Sequence, residues 1–326
     1  MNSNRNYWID RMKVIGMYLI ILGHFFSIGY KYIYIFSVPL FFIISGYLGN
    51  HKDSHLEFFK KLFHKLITPT CIICLIMYMW NAYIYIINNQ SLQDYPTIHS
   101  YILMCLKGNQ GPLGTCWFIY TLIIIKFIHH FLPSNKGVQL TIFILFSIIS
   151  ISLHHYQIHR NNAILNVCVA YPLFIIGLQL HYMDKYLIFL FNSYNRLFLF
   201  IISIITIVIC TKYNGYVWMY NNGYGNNFLL YIIGSISGTI MLFTLCTGKK
   251  TKFDNCIAIS SKGNIITLGF HQIFVYLCRI ITPYPSFIDF IYSAIILLLF
   301  LPIIIISRDY FPILSGSYKK NNPTKK

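Results

Sequence analysis

The chain has 326 residues, of which 56% are hydrophobic and only 10% charged, and its formal net charge is +17. A soluble surface of this size needs far more charge, so the composition excludes a soluble globular domain and places the chain in a membrane. The positive excess does not mark a nucleic-acid binder, because the basic residues collect on one side of a ladder of apolar segments.

Apolar runs long enough to cross a hydrocarbon core of about 30 Å predict helices near 13–30, 32–49, 66–88, 113–131, 138–154, 163–181, 197–212, 227–247, 263–281 and 288–306. The expected fold is an all-α integral membrane bundle of about ten transmembrane helices with both termini cytoplasmic. In that topology only Lys31, Lys107, Arg160, Lys212 and Arg279 fall off the cytoplasmic side. This bias sets orientation, and attraction to anionic membrane lipids follows from it. One domain is expected over 1–318, with a polar basic tail at 319–326. The first apolar run is too long for a cleaved leader and lacks a small-residue cleavage site. Nothing remains that would hold a soluble catalytic domain, so any chemistry belongs to the bundle or its loops.

The first predicted helix carries the sharpest signal. Ile15–Phe26 is apolar except for His24, and Lys13 lies on the same helical face, roughly 16 Å away along the axis. An ionisable group inside a span reads first as a functional site. A lone histidine on an apolar helix is also a common packing residue. As a functional group, His24 suits a general base for an alcohol or a transient acyl carrier on its imidazole nitrogen. Arg11 and Asp10 lie close enough to share the role of Lys13, whose bland reading is a cation reaching lipid headgroups. Lys60, Lys61, His64 and Lys65 precede the third predicted helix and serve either anchoring or anion binding.

Farther along, Gly111, Pro112 and Gly114 precede Trp117. Cys105 and Cys116 flank that outer loop and allow a disulfide, whereas Cys71-x-x-Cys74 lies inside a span without a partner pair and reads as packing, so no metal site is predicted. The outer segment 213–227, with Trp218, is rich in aromatic rings and amides, which suits either sugar recognition or an interfacial aromatic belt. His271 is the only other histidine well inside a predicted helix. All eight acids sit at predicted helix ends or in loops, which counts against a proton-coupled pump.

Two stretches resemble the opening of the membrane acyltransferase-3 family, and most of all its small fucose 4-O-acetylase-like branch. They are Asp10, Lys13 and His24 at that family's spacing, and the run Phe36-Ser37-Val38-Pro39-Leu40-Phe41-Phe42-Ile43-Ile44-Ser45-Gly46-Tyr47. Lys13 stands where arginine is common. Weaker likenesses follow in order: Trp117-Phe118, then Tyr171-Pro172-Leu173-Phe174-Ile175-Ile176-Gly177, then Lys262-Gly263-Asn264 with His271. Asn264 stands where serine is usual, and Leu268 where tyrosine is.

The resemblance implies an O-acetyltransferase in the inner (cytoplasmic) membrane. Its donor would be cytoplasmic acetyl-CoA, and its acceptor a sugar hydroxyl of a surface polysaccharide or a lipid-linked glycan. His24 and His271 are then the expected catalytic pair. Lys13, Arg11, Lys61 and Lys65 would bind the donor, and Asp10, Trp117, Asn264 and Trp218 would contact substrate. Two other classes compete. A glycan flippase, exporter or polymerase-like protein would share the helices and outer aromatics but has no need of the Asp10–Lys13–His24 spacing. A regulatory relative would keep the fold and sense a ligand.

Overall fold

The computed structural model describes residues 6–49, 53–91, 94–133, 135–158, 161–182 and 193–316. The basic tail expected at 319–326 lies outside them. Helix α1 runs Tyr7–His24. It starts ahead of the predicted 13–30 because Asp10, Arg11 and Lys13 lie within its first turns, on a helix already held by the bundle. It stops at His24 because Phe26 takes a left-handed conformation (φ 48°) and Gly29 a second one (φ 83°). A short turn of helix, Tyr30–Tyr34, then leads into α2, Ser37–Tyr47, whose Pro39 falls in the first turn, where a missing N–H costs nothing.

Helix α3, His55–Leu62, is amphipathic and lies outside the predicted spans; Ser54 caps it by accepting from the Glu57 N–H at 3.4 Å. A π-helical turn, Phe63–Ile67, joins it to α4, Thr68–Ile87. Besides short helical turns at Gln110–Leu113, Gly114–Cys116 and Met219–Asn221, the remaining helices are α5 Ile98–Leu106, α6 Trp117–Phe131, α7 Lys136–His155, α8 Asn166–Tyr182, α9 Ser193–Asn214, α10 Phe228–Cys246, α11 Asp254–Lys262, α12 Asn264–Ile281 and α13 Ile288–Tyr310. The described residues form no strand, only isolated bridges at Asn109–Asn162 and Trp218–Gly223.

The protein is an all-α integral membrane protein. Among the described residues, 8 helical stretches are long and apolar enough to cross a membrane. Two predicted spans fall short of that measure: α1 carries charge near its start, and α8 has 17 residues. Both are nevertheless built into the bundle. Helices α2 and α8 touch backbone to backbone, because a Cβ on Gly46 would stand 2.0 Å from the Phe174 carbonyl oxygen and one on Gly177 2.0 Å from that of Ile43. Small residues are what permit so close an approach between helices in lipid, where no hydrophobic force drives them together. Helix α1 sits centrally and packs against α2, α10, α11, α12 and α13. That position turns its ladder of side chains into the wall of an internal site. All the cysteines are free thiols, so the disulfide considered for Cys105 and Cys116 is not formed.

Candidate active site

One face of α1 presents Lys13, Met17, Ile20 and His24 at intervals of one turn. Helix α12 runs beside it in the same direction and presents Asn264, Leu268 and His271. The two ladders meet at both ends. Near the start of both helical ladders the Asn264 amide lies 3.4 Å from the Lys13 carbonyl oxygen, as its donor. At the other end the rings of His24 and His271 stand 4.9 Å apart, tilted by 51°.

The chemistry of His271 is fixed by its surroundings. Its Nδ1 lies 3.0 Å from the Thr267 carbonyl oxygen and 2.9 Å from that of Leu268. Carbonyl oxygens only accept, so Nδ1 carries the proton and donates it. Nε2 is therefore the lone-pair nitrogen in the neutral ring, and it is buried with no hydrogen-bond partner. A buried acceptor left open is an exception that calls for a reason, and a substrate or a neighbouring N–H supplies one. His24 is half-buried and ends its helix, so it adjoins the outer connection rather than mid-helix packing.

A cavity of about 630 Å³ opens on the Lys13 side of this pair. Lys13, Lys65, Lys262 and Arg308 surround its mouth, beside Ser315 and Gly316. Met17, Ile20, Phe41, Phe118, Ile119, Leu122 and Leu268 make its deeper walls apolar. Ile20 and Leu268 are one turn short of His24 and His271, so the cavity ends just beneath the pair. Lys126 stands one turn from Leu122 and feels the charges of Lys13 and Lys65 as well as that of Asp53. Arg308 also pairs with Asp309 at 3.0 Å, and the cations that remain around the mouth fit a polyanion there, as the apolar shaft fits a thin uncharged arm.

Several predicted site residues lie elsewhere. Arg11 leaves the cavity: its Nε and Nη2 donate to the Asp254 carboxylate at 2.8 Å, and its other donors reach the Cys246 and Lys249 carbonyls at 2.9 Å. A guanidinium so fully used by protein acceptors has no fork left for a phosphate, and Arg11 is a tie between α1 and α11. Asp254 is buried, and Arg11 together with the Thr251 N–H holds its carboxyl below the usual carboxylate range. Lys61 pairs with Asp53 on the exposed face of α3 and does not line the cavity. Asn264 lines the cavity, whereas Asp10 does not and instead accepts from the Ser261 hydroxyl, a residue of the cavity wall, at 2.6 Å.

The aromatic residues form a chain that reaches the His24 end of α1. Trp117 is buried, with its ring 6.1 Å from Tyr220. Tyr220 stacks against Trp218 at 6.3 Å, Trp218 lies 6.2 Å from Tyr216, and Tyr216 lies 5.5 Å from Tyr34. Tyr34 packs on Gly23, next to His24. Asn214 holds this loop by donating to the Tyr224 carbonyl and accepting from the Asn227 N–H, both at 2.6 Å. Trp218 is exposed.

Sequence reasoning assigned no role to Lys262 and Arg308 at the mouth, or to Lys126 near it, because their charges were absorbed into the basic bias of the whole chain. It missed Tyr34 because nothing in the sequence marks the return of that turn onto Gly23. The sequence profile of a family described as Acyltransferase domain, the acyltransferase-3 profile, matches residues 6–308. No curated protein and no solved structure matches the chain.

Proposed function

The chain belongs to the acyltransferase-3 family of membrane acyltransferases, and from that premise we propose that it transfers an acetyl group from cytoplasmic acetyl-CoA to a sugar hydroxyl. The acceptor is a surface polysaccharide or its lipid-linked precursor, met on the outer side of the inner membrane. The family branch whose pattern it follows is the small fucose 4-O-acetylase-like one. One observation carries this above the other readings. A cavity with a basic mouth and an apolar shaft ends one turn beneath two facing histidines. Transport of a glycan has no need of a basic-mouthed apolar cavity that leads towards paired histidines.

The nucleotide phosphates of CoA would sit among Lys65, Lys262, Arg308 and Lys13, and the pantetheine arm would follow the apolar shaft towards His24. The acceptor would approach along Trp218, Tyr216 and Tyr34. His24 takes the proton of the acceptor hydroxyl as its oxygen attacks the thioester carbonyl. The C–S bond then breaks, and the sulfur of CoA leaves and recovers that proton. His271, with Nδ1 committed to two carbonyls, keeps Nε2 as an open acceptor beside the His24 ring, and a small turn of that ring would let His24 donate to it and fix the reactive tautomer. A transient acetyl on His24 is the second route through the same geometry. Neither route uses a metal.

The test uses membrane vesicles holding equal amounts of wild type or His24→Ala, with acetyl-labelled CoA and a crude lipid-linked glycan fraction. Label entering glycan with wild type alone supports the proposal. Equal label with both proteins removes His24 from the centre of the mechanism, and no label with either turns weight towards transport.

A further inference from the structure

At the outer end of the histidine pair lies a residue that sequence reading left among the few basic groups off the cytoplasmic side. Arg279 is two turns beyond His271 on α12, roughly 12 Å along the axis. Its guanidinium joins the ends of three helices. Nη2 donates to the Phe25 carbonyl, directly after His24 at the end of α1. Nη1 donates to the carbonyls of Thr282 and Tyr284, both at 3.0 Å, just past the end of α12. Both nitrogens also grip the Asp289 carboxylate in the first turn of α13, at 3.0 and 3.1 Å. Asp289 is fully buried, and it accepts from the Ser286 N–H at 3.0 Å as well. The guanidinium carbon lies 4.9 Å from the centre of the Phe25 ring.

Helix ends leave carbonyls without partners and carry partial negative charge, so one cation shared by two C-terminal ends is a strong tie. The two ends tied here belong to the helices that carry His24 and His271. Helix α1 also needs an external tie at this point, because it breaks immediately afterwards at the left-handed Phe26. We infer that Arg279, buttressed by Asp289, is a positioning residue that fixes the His24–His271 spacing from the outer side. It touches neither the donor cavity nor the reacting atoms. The catalytic half of this inference rests on the acyl-transfer proposal above. The mechanical half does not.

The planar fork is what the arrangement uses, and an ammonium cannot reach a carboxylate and three carbonyls together. The test is Arg279→Lys in the purified full chain in detergent, with Asp289→Asn as a second variant that keeps the guanidinium. Thermal melting confirms that each is folded, and amide hydrogen exchange is then read along α1. Exchange at residues 23–27 is expected to rise about tenfold, with residues 10–20 unchanged. In the labelled-glycan assay kcat is expected to fall about 30- to 100-fold, with the acetyl-CoA KM within about twofold of wild type. Wild-type exchange at 23–27 would overturn the clamp. Faster exchange with an unchanged kcat would overturn its catalytic role. Faster exchange in a protein whose wild type transfers nothing would sink the acyl-transfer proposal and leave the clamp standing.

Discussion

His24 and His271 come from helices at opposite ends of the chain, and their rings lie 4.9 Å apart with only one nitrogen of His271 committed to its own backbone. The pair is therefore asymmetric: His271 is held in one tautomer, and His24 is free to work. His24→Ala is expected to lose about 10³-fold or more in transfer, within the range of a general base combined with its positioning. His271→Gln keeps a polar group but not a fixed lone pair, and is expected to lose about 10- to 100-fold. Labelled acetyl transfer in vesicles at matched protein levels checks both. Equal losses in the two variants would contradict the asymmetry.

The cavity mouth makes a separate prediction for the donor. Lys262→Ala and Arg308→Ala each remove one cation from the phosphate end and leave the shaft intact. Each is expected to raise the acetyl-CoA KM about 5- to 30-fold, about 1–2 kcal/mol, with kcat nearly unchanged. Raising salt should narrow the difference from wild type, since exposed charge interactions are screened. Lys61→Ala, on the exposed face of α3, should leave the KM alone. An unchanged KM in both cavity variants would place the nucleotide elsewhere.

How much of this was legible in the sequence depends on periodicity. The apolar spans and the shared face of Lys13 and His24 follow from the repeat of one helix, and the structure keeps them. The partner of each helix does not follow from such a repeat. Arg11 and Lys13 are two positions apart and equally basic, yet one faces Asp254 and the other the cavity. That difference arises from the packing of α11 against α1, between residues about 240 positions apart. The surface helix α3 and the short α11 were also hidden, because a search for membrane spans passes over amphipathic segments too short to cross. Gly46 and Gly177 were part of quoted motifs, but only the structure shows that each abuts the other helix's backbone.

That backbone contact predicts intolerance at both glycines. Gly177→Ala would drive its Cβ to 2.0 Å from the Ile43 carbonyl oxygen, and a backbone atom cannot rotate away as a side chain does. The helices must separate, at a cost of about 1–3 kcal/mol or more. The expected result is a lower melting temperature and a lower folded yield in detergent. Gly111→Ala, where a Cβ meets open space, is the control and should melt like wild type.

The Arg11–Asp254 tie predicts a dependence of stability on pH. The Asp254 carboxyl is held below its ordinary range by the Arg11 guanidinium, so the folded state favours the ionised form. The unfolded chain binds a proton at this group near pH 3.9. With the folded value lower, the group's stabilising contribution is complete above about pH 4 and is lost as pH falls through the folded-state value. Asp254→Asn removes that contribution at every pH, so its melting temperature should lie below wild type at neutral pH and converge with it in acid. Arg11→Ala should also melt below wild type, because it leaves the Asp254 carboxylate without its guanidinium partner. Melting curves in detergent from pH 7 to pH 3 decide the matter. Parallel curves for wild type and Asp254→Asn would mean that the pair is not coupled to folding, and that Arg11 remains available for a donor phosphate after all.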